Sequence, residues 1–139
     1  MIVRQLMSME PITIGPDDTV AQALDQMLRY DIRELPVVAD GALIGIVTDR
    51  DVKTLLGPGT ADVDERRMPV AGLRASISEL MSENVETMLP SVNASEACRL
   101  LVEYKVGAMP VVDLTGELLG ICSVTDLLSE AARLFEREE

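Results

Sequence analysis

The chain has 139 residues with 12 basic against 24 acidic side chains and a formal charge of −12, so it repels a polyanion except at local basic spots, which argues against nucleic acid as a partner. Aromatic residues make up 2% and Trp is absent, which removes any platform for stacking successive bases. The length fits one compact domain or two small halves sharing a core; no apolar run approaches the roughly 18 residues that span a bilayer, and the opening MIVRQLMSMEP lacks a signal peptide's apolar stretch, so we read a cytoplasmic protein without a membrane partner.

In chain order, residues 2–8 predict a short helical turn and Ile12-Thr13-Ile14 an extended segment that Pro16 ends. Thr19 with Gln22 forms a capping-box pattern, and Val20, Ala23, Leu24, Met27 and Leu28 recur at helical spacing, so this helix buries one face. Pro36-Val37-Val38 and Ala42 to Val47 flank Asp40-Gly41, a strong two-residue hairpin signal. The second strand runs into Gly45-Ile46-Val47-Thr48-Asp49-Arg50-Asp51-Val52, where Thr48 is placed to cap a following helix. Residues 57–75, opening on Gly57-Pro58-Gly59-Thr60, carry turn residues and mixed charge without a period, and read as a linker.

The pattern then starts again. A helical turn at 77–82, an extended Val85-Glu86-Thr87-Met88, Pro90, and a capping-box pattern at Asn93 and Glu96 follow in the same order. Val111-Val112 and Glu117 to Cys122 form a looser hairpin around Asp113 to Gly116, ending in Gly120-Ile121-Cys122-Ser123-Val124-Thr125-Asp126-Leu127. At one constant offset Leu6/Leu80, Met7/Met81, Ser8/Ser82, Thr13/Thr87, Tyr30/Tyr104 and Pro36/Pro110 coincide; past the hairpin the offset grows by one residue for Gly41/Gly116, Gly45/Gly120 and Asp51/Asp126. Each unit reads helix, strand, helix, strand, strand, helix. We place repeat 1 at residues 1–56, the linker at 57–75, and repeat 2 with a C-terminal helix at 76–139. In that helix Leu127, Leu128, Ala131, Leu134 and Phe135 make an apolar stripe, read first as intramolecular core and second as a surface that a partner covers.

The duplicated junction of strand and helix is the candidate site. It gathers a hydroxyl, a carboxylate and helix N-terminal N–H groups, which suit a phosphate and a ribose diol. The structural alternative is that Thr48-x-x-Asp51 and Ser123-x-x-Asp126 are capping boxes only. His is absent, no Cys pair has ligand spacing, and neither a Gly-x-Ser-x-Gly nor a phosphate-loop pattern occurs, so we expect no metal, no required cofactor and no enzyme. Cys98 and Cys122 both fall inside apolar patterns and read as buried thiols rather than a disulfide.

With Leu-Met-Ser at two places, Leu35-Pro36-Val37-Val38 and Met109-Pro110-Val111-Val112, and the two Gly-x-x-[Thr/Ser]-x-x-Asp ends in order, residues 2–56 and 77–129 resemble cystathionine-beta-synthase (CBS) domains in a stand-alone tandem pair, a Bateman module. The resemblance implies an α/β (α+β) fold of two repeats packed by their sheets with pseudo-twofold symmetry, and two clefts that in many relatives hold adenine nucleotides. By carry-over, one cleft sets Ser123, Thr125 and Asp126 opposite Thr13 and Arg33-Glu34-Leu35. The other sets Thr48, Arg50 and Asp51 opposite Thr87 and Gly107-Ala108-Met109. Asp then takes the ribose, hydroxyl residues and helix N-terminus take phosphate, and backbone beside the threonines reads the base. Arg50 stands where the other copy has Thr125, and either adds a phosphate partner or blocks the cleft; Glu34 lies near the phosphate path and opposes it. The implied function is a non-catalytic regulatory sensor of AMP, ADP or ATP, acting as a homodimer on a protein target the sequence does not name. The alternatives are a structural dimerisation module, or a sensor of another adenosyl ligand such as S-adenosylmethionine.

Overall fold

The computed structural model describes residues 1–56 and 70–139. In chain order the elements are α1 (Val3–Leu6), β1 (Ser8–Met9), α2 (Val20–Tyr30), β2 (Glu34–Ala39), β3 (Ala42–Thr48), α3 (Asp49–Leu56), α4 (Val70–Arg74), α5 (Ile77–Leu80), α6 (Ala94–Tyr104), β4 (Ala108–Val112), β5 (Leu118–Ser123) and α7 (Val124–Glu136). The mixed helix and strand class expected from the repeat is what the chain adopts. Residues 57–69, the larger part of the expected linker and including Gly57-Pro58-Gly59-Thr60, lie outside the described residues. The rest of that segment is not irregular: α4 packs on α2, with Leu73 and Ala75 against the same core and the Val20 N–H donating to the Ala75 carbonyl at 3.0 Å.

Local signals account for most elements. Thr19 and Gln22 close a reciprocal cap at 2.7 and 3.2 Å, and α2 buries Val20, Ala23, Leu24 and Met27, the stripe read in the sequence, while Leu28 stays 60% exposed. The β2–β3 hairpin turns at Asp40 and Gly41 with φ of 51° and 82°, the left-handed pair a two-residue turn of this hand requires. In the β4–β5 hairpin the extra residue makes a wider turn organised by one carboxylate. Asp113 Oδ1 accepts from Thr115 N–H, Thr115 O–H and Glu117 N–H at 2.8, 2.6 and 3.0 Å. The Thr115 bond leads the causes that hold the Asp113 carboxyl below its ordinary value. Both hairpins carry a register irregularity at the same place, between Val37 and Val38 and between Val111 and Val112.

One expected cap fails. Asn93 makes no side-chain cap bond, and Glu96 sits 3.8 Å from Arg99 instead. Tertiary contact acts at this end instead: Asn93 is bridged to Ile2, and the Ala94 N–H, the first of α6, donates to the Met1 carbonyl at 2.9 Å.

The chain divides into two compact units whose limits are not those of the repeats. The central unit runs from Ile12 to Val85, and the terminal unit joins Met1–Pro11 to Glu86–Glu139. In the central unit β2 and β3 are extended by Ile14, which bridges parallel to Val37, and by Ser82, which pairs antiparallel with Ile46 at 2.9 and 3.0 Å. Leu24, Leu35, Val37, Val47, Val52 and Ile77 fill its core. In the terminal unit the sheet order is β1-β5-β4, with Met88 bridging parallel to Val111; Val3, Met7, Leu101, Met109, Val111 and Cys122 fill its core. Residues 1–11 of the first sequence repeat thus fold with the second, where β1 joins β5, and residues 77–82 of the second fold with the first, where Ser82 pairs with Ile46.

Candidate ligand site

Each unit brings the end of a hairpin against the start of a helix. In the central unit Glu34 pairs with Thr48 at the open end of β2–β3, and the Asp49 N–H at the start of α3 donates to the Arg33 carbonyl at 2.8 Å. In the terminal unit Ala108 pairs with Ser123, and the Val124 N–H at the start of α7 donates to the Gly107 carbonyl at 2.9 Å. Both capping boxes are closed. Thr48 N–H donates to Asp51 Oδ2 at 2.8 Å and Asp51 N–H to Thr48 Oγ1 at 3.2 Å; Ser123 N–H donates to Asp126 Oδ2 at 2.9 Å and Asp126 N–H to Ser123 Oγ at 3.1 Å.

These bonds correct the expectation of a helix N-terminus rich in open N–H groups. A helix begins with four N–H groups lacking intrahelical partners. Here the cap residue's N–H is taken by the Asp carboxylate, that of the first helical residue by the carbonyl of the loop residue before the strand, Arg33 or Gly107, and that of the third by the cap hydroxyl. Among the described residues the second, on Arg50 in α3 and on Thr125 in α7, is left without a bond. Ser123 and Thr48 accept through oxygen in the box, so each retains its own O–H proton for a ligand acceptor.

The grouping within units is therefore Arg33, Glu34 and Leu35 with Thr48, Arg50 and Asp51, and Gly107, Ala108 and Met109 with Ser123, Thr125 and Asp126. Thr13 adjoins the first group through Ile14, whose N–H donates to the Pro36 carbonyl at 3.0 Å; Thr87 adjoins the second through Met88, whose N–H donates to Pro110 at 3.1 Å. Hairpin pairing sets each loop beside the junction of its own unit, Glu34 against Thr48 and Ala108 against Ser123. Leu35 and Met109 are 0% and 1% exposed in their cores, so only their backbone is offered to a ligand. Asp49 was missed; its place as the helix residue next to Thr48 was the available signal.

A family model for the CBS domain matches residues 3–57 and 77–135. This chain belongs to the CBS domain family. A CBS domain-containing protein of Dictyostelium discoideum is 35% identical over 98% of this chain and 94% of its own length. The inosine-5'-monophosphate dehydrogenase of Aquifex aeolicus is 32% identical over 88% of this chain, but the match spans only 23% of that enzyme. Among solved structures, CBSX2 in complex with AMP superposes with a TM-score of 0.81 at 25% identity, covering 95% of this chain and 97% of that one. The CBS domain pair of protein MJ0100, in complex with 5'-methylthioadenosine and S-adenosyl-L-methionine, gives 0.75 at 25% identity over 97% and 99%.

The two CBS junctions differ in charge. Burial, and then the neighbouring Asp49 carboxylate, raise the pKa of Glu34 above its ordinary value against the opposing pull of Arg33. Asp49 is itself 3.4 Å from Lys53 across one turn of α3. At the corresponding places the terminal CBS unit carries Ala108 and Val124, with no charge. Lys105, a candidate cation for the Gly107 loop, serves as the left-handed C-cap of α6 with φ of 55°. Among the described residues there is no cluster of His, Cys, Asp and Glu that would hold a metal ion, and no helix is long and apolar enough to cross a membrane.

Cys98 and Cys122 are both free thiols, but only Cys122 is buried. Cys98 lies off the Ala97–Leu101 stripe of α6 and is exposed, a correction to the reading of two buried thiols. In α7 only Leu127 of the apolar stripe is buried; Leu128, Leu134 and Phe135 are 63%, 48% and 62% exposed, so the stripe is not core within this chain.

Proposed function

We propose that this chain is a non-catalytic regulatory module that binds an adenine nucleotide at its hairpin–helix junctions and passes occupancy to a partner protein. The observation that carries the reading is the duplicated junction itself, where a hydroxyl with its proton available, a carboxylate and one open helix N–H lie together in each unit. The AMP held by CBSX2, a relative at 25% identity, supports it. In the terminal unit Asp126 accepts the ribose hydroxyls, and Ser123 and Thr125 donate to phosphate through their O–H groups and the Thr125 N–H. Thr87 and the backbone of Gly107-Ala108-Met109 lie against the base. In the central unit Asp51, Thr48 and Arg50 fill these roles beside Thr13 and Arg33-Glu34-Leu35. The adenosyl ligands of MJ0100 make S-adenosylmethionine the competing ligand.

A second reading is favoured by the closed boxes, since each Asp already has a structural task. In that reading the junctions cap helices and the chain is a dimerisation module. Isothermal calorimetry on Asp126→Asn and Asp51→Asn with AMP and ATP separates the two. Asn keeps the size and an acceptor oxygen but removes the charge. A ligand carboxylate lost from charge-assisted hydrogen bonds costs about 1.5–3 kcal/mol of affinity, roughly ten- to hundredfold, with the larger loss at Asp126. A cap alone loses a few tenths to ~1 kcal/mol of stability and leaves affinity unchanged. Unchanged nucleotide affinity in both variants overturns the sensor reading at these junctions.

A further inference from the structure

We propose that Glu34 is a specificity residue that makes the central unit's junction select adenosyl ligands carrying no negative charge at the phosphate position, leaving phosphorylated nucleotides to the terminal unit. This inference rests on the reading of the junctions as ligand sites. Its basis is the strand register. Glu34 is the pairing partner of Thr48, the cap hydroxyl proposed to face phosphate, so its carboxylate enters on the hairpin end that α3 abuts. The same position in the terminal unit, paired with Ser123, is Ala108, 7% exposed and without charge.

The surrounding charges decide the sign. On α3, Asp49 adds a second carboxylate, and its cation Lys53 is held on it at 3.4 Å; Asp51 is engaged in the capping box. Among the described residues, the cations next in sequence to Glu34 and Thr48 are Arg33 and Arg50; both side chains are exposed, where water and salt screen them, whereas Glu34 is partly buried. Burial first and the Asp49 carboxylate second raise the pKa of Glu34, so Asp49 acts on this position as a like charge. A neutral or cationic group meets no such opposition there.

The test uses the full chain with Asp126→Asn, which mutes the terminal junction, and reads AMP and adenosine by calorimetry at one pH. The Asp126→Asn protein is expected to prefer adenosine. Adding Glu34→Gln is expected to raise AMP affinity about tenfold, the effect of removing one like charge beside the phosphate position in a partly screened site, while adenosine changes less than twofold. Equal changes for the two probes, no gain for AMP, or a preference for AMP before Glu34 is replaced overturns the inference and leaves the nucleotide reading of the terminal unit standing. Absence of binding by the unmodified protein overturns both.

Discussion

Replacing Gly120 with Ala should destabilise the protein more than the same change at Gly45, although the two glycines occupy one repeat position. A Cβ added at Gly120 would lie 2.6 Å from the Ser8 carbonyl oxygen and 3.0 Å from Met7 Sδ. The Ser8 oxygen belongs to β1, which is laddered to β5 through Ser8↔Ile121 and Met9↔Gly120, so it retreats only by loosening that pairing. At Gly45 the nearest atom is Met81 Sδ at 2.7 Å, the far part of a flexible side chain, with the Ser82 carbonyl oxygen at 3.1 Å. Forced overpacking costs about 1–3 kcal/mol. Against it stands a gain of about 0.4–1 kcal/mol from the smaller freedom of Ala in the unfolded chain. The expected net loss is about 2 kcal/mol for Gly120→Ala and under ~1 kcal/mol for Gly45→Ala. At roughly 3–4 °C per kcal/mol for a chain of this length, Tm should fall by about 7 °C and by less than about 4 °C. Differential scanning calorimetry of the two variants at equal protein concentration reads both values. Equal losses, or the larger loss at Gly45, would show that the contact with the exchanged segment does not set the requirement for glycine.

Two further predictions concern the surface. A maleimide at pH 8 should label one thiol per native chain, Cys98, and two in denaturant, because burial pushes the Cys122 thiol up to about 11 and closes access to it; native labelling of Cys122 would refute its place in the core. The exposed Leu128, Leu134 and Phe135 of α7 should be covered by a second copy, so light scattering should return twice 15.1 kDa, and Leu128→Glu with Phe135→Glu should return the monomer. A monomer at all concentrations before any substitution removes the proposed homodimer.

The sequence by itself determined what is written within a few neighbouring residues. The Thr19–Gln22, Thr48–Asp51 and Ser123–Asp126 boxes each close over three residues, Asp40-Gly41 supplies its own turn, and the α2 stripe follows from helical period. Duplication made those local signals specific enough to name the family, because each alone is common. Tertiary structure decided whatever depends on backbone arriving from far along the chain. Residues 1–11 fold with the second repeat and Ile77–Ser82 with the first, and this exchange gives Gly120 and Gly45 their close neighbours and pairs Ile2 with Asn93. It also lay with the fold that the Arg33 and Gly107 carbonyls take the first N–H of α3 and α7, so each junction keeps fewer donors than its sequence advertises. A strand edge or a helix end takes whichever backbone group reaches it, and side-chain periodicity does not record which segment that is.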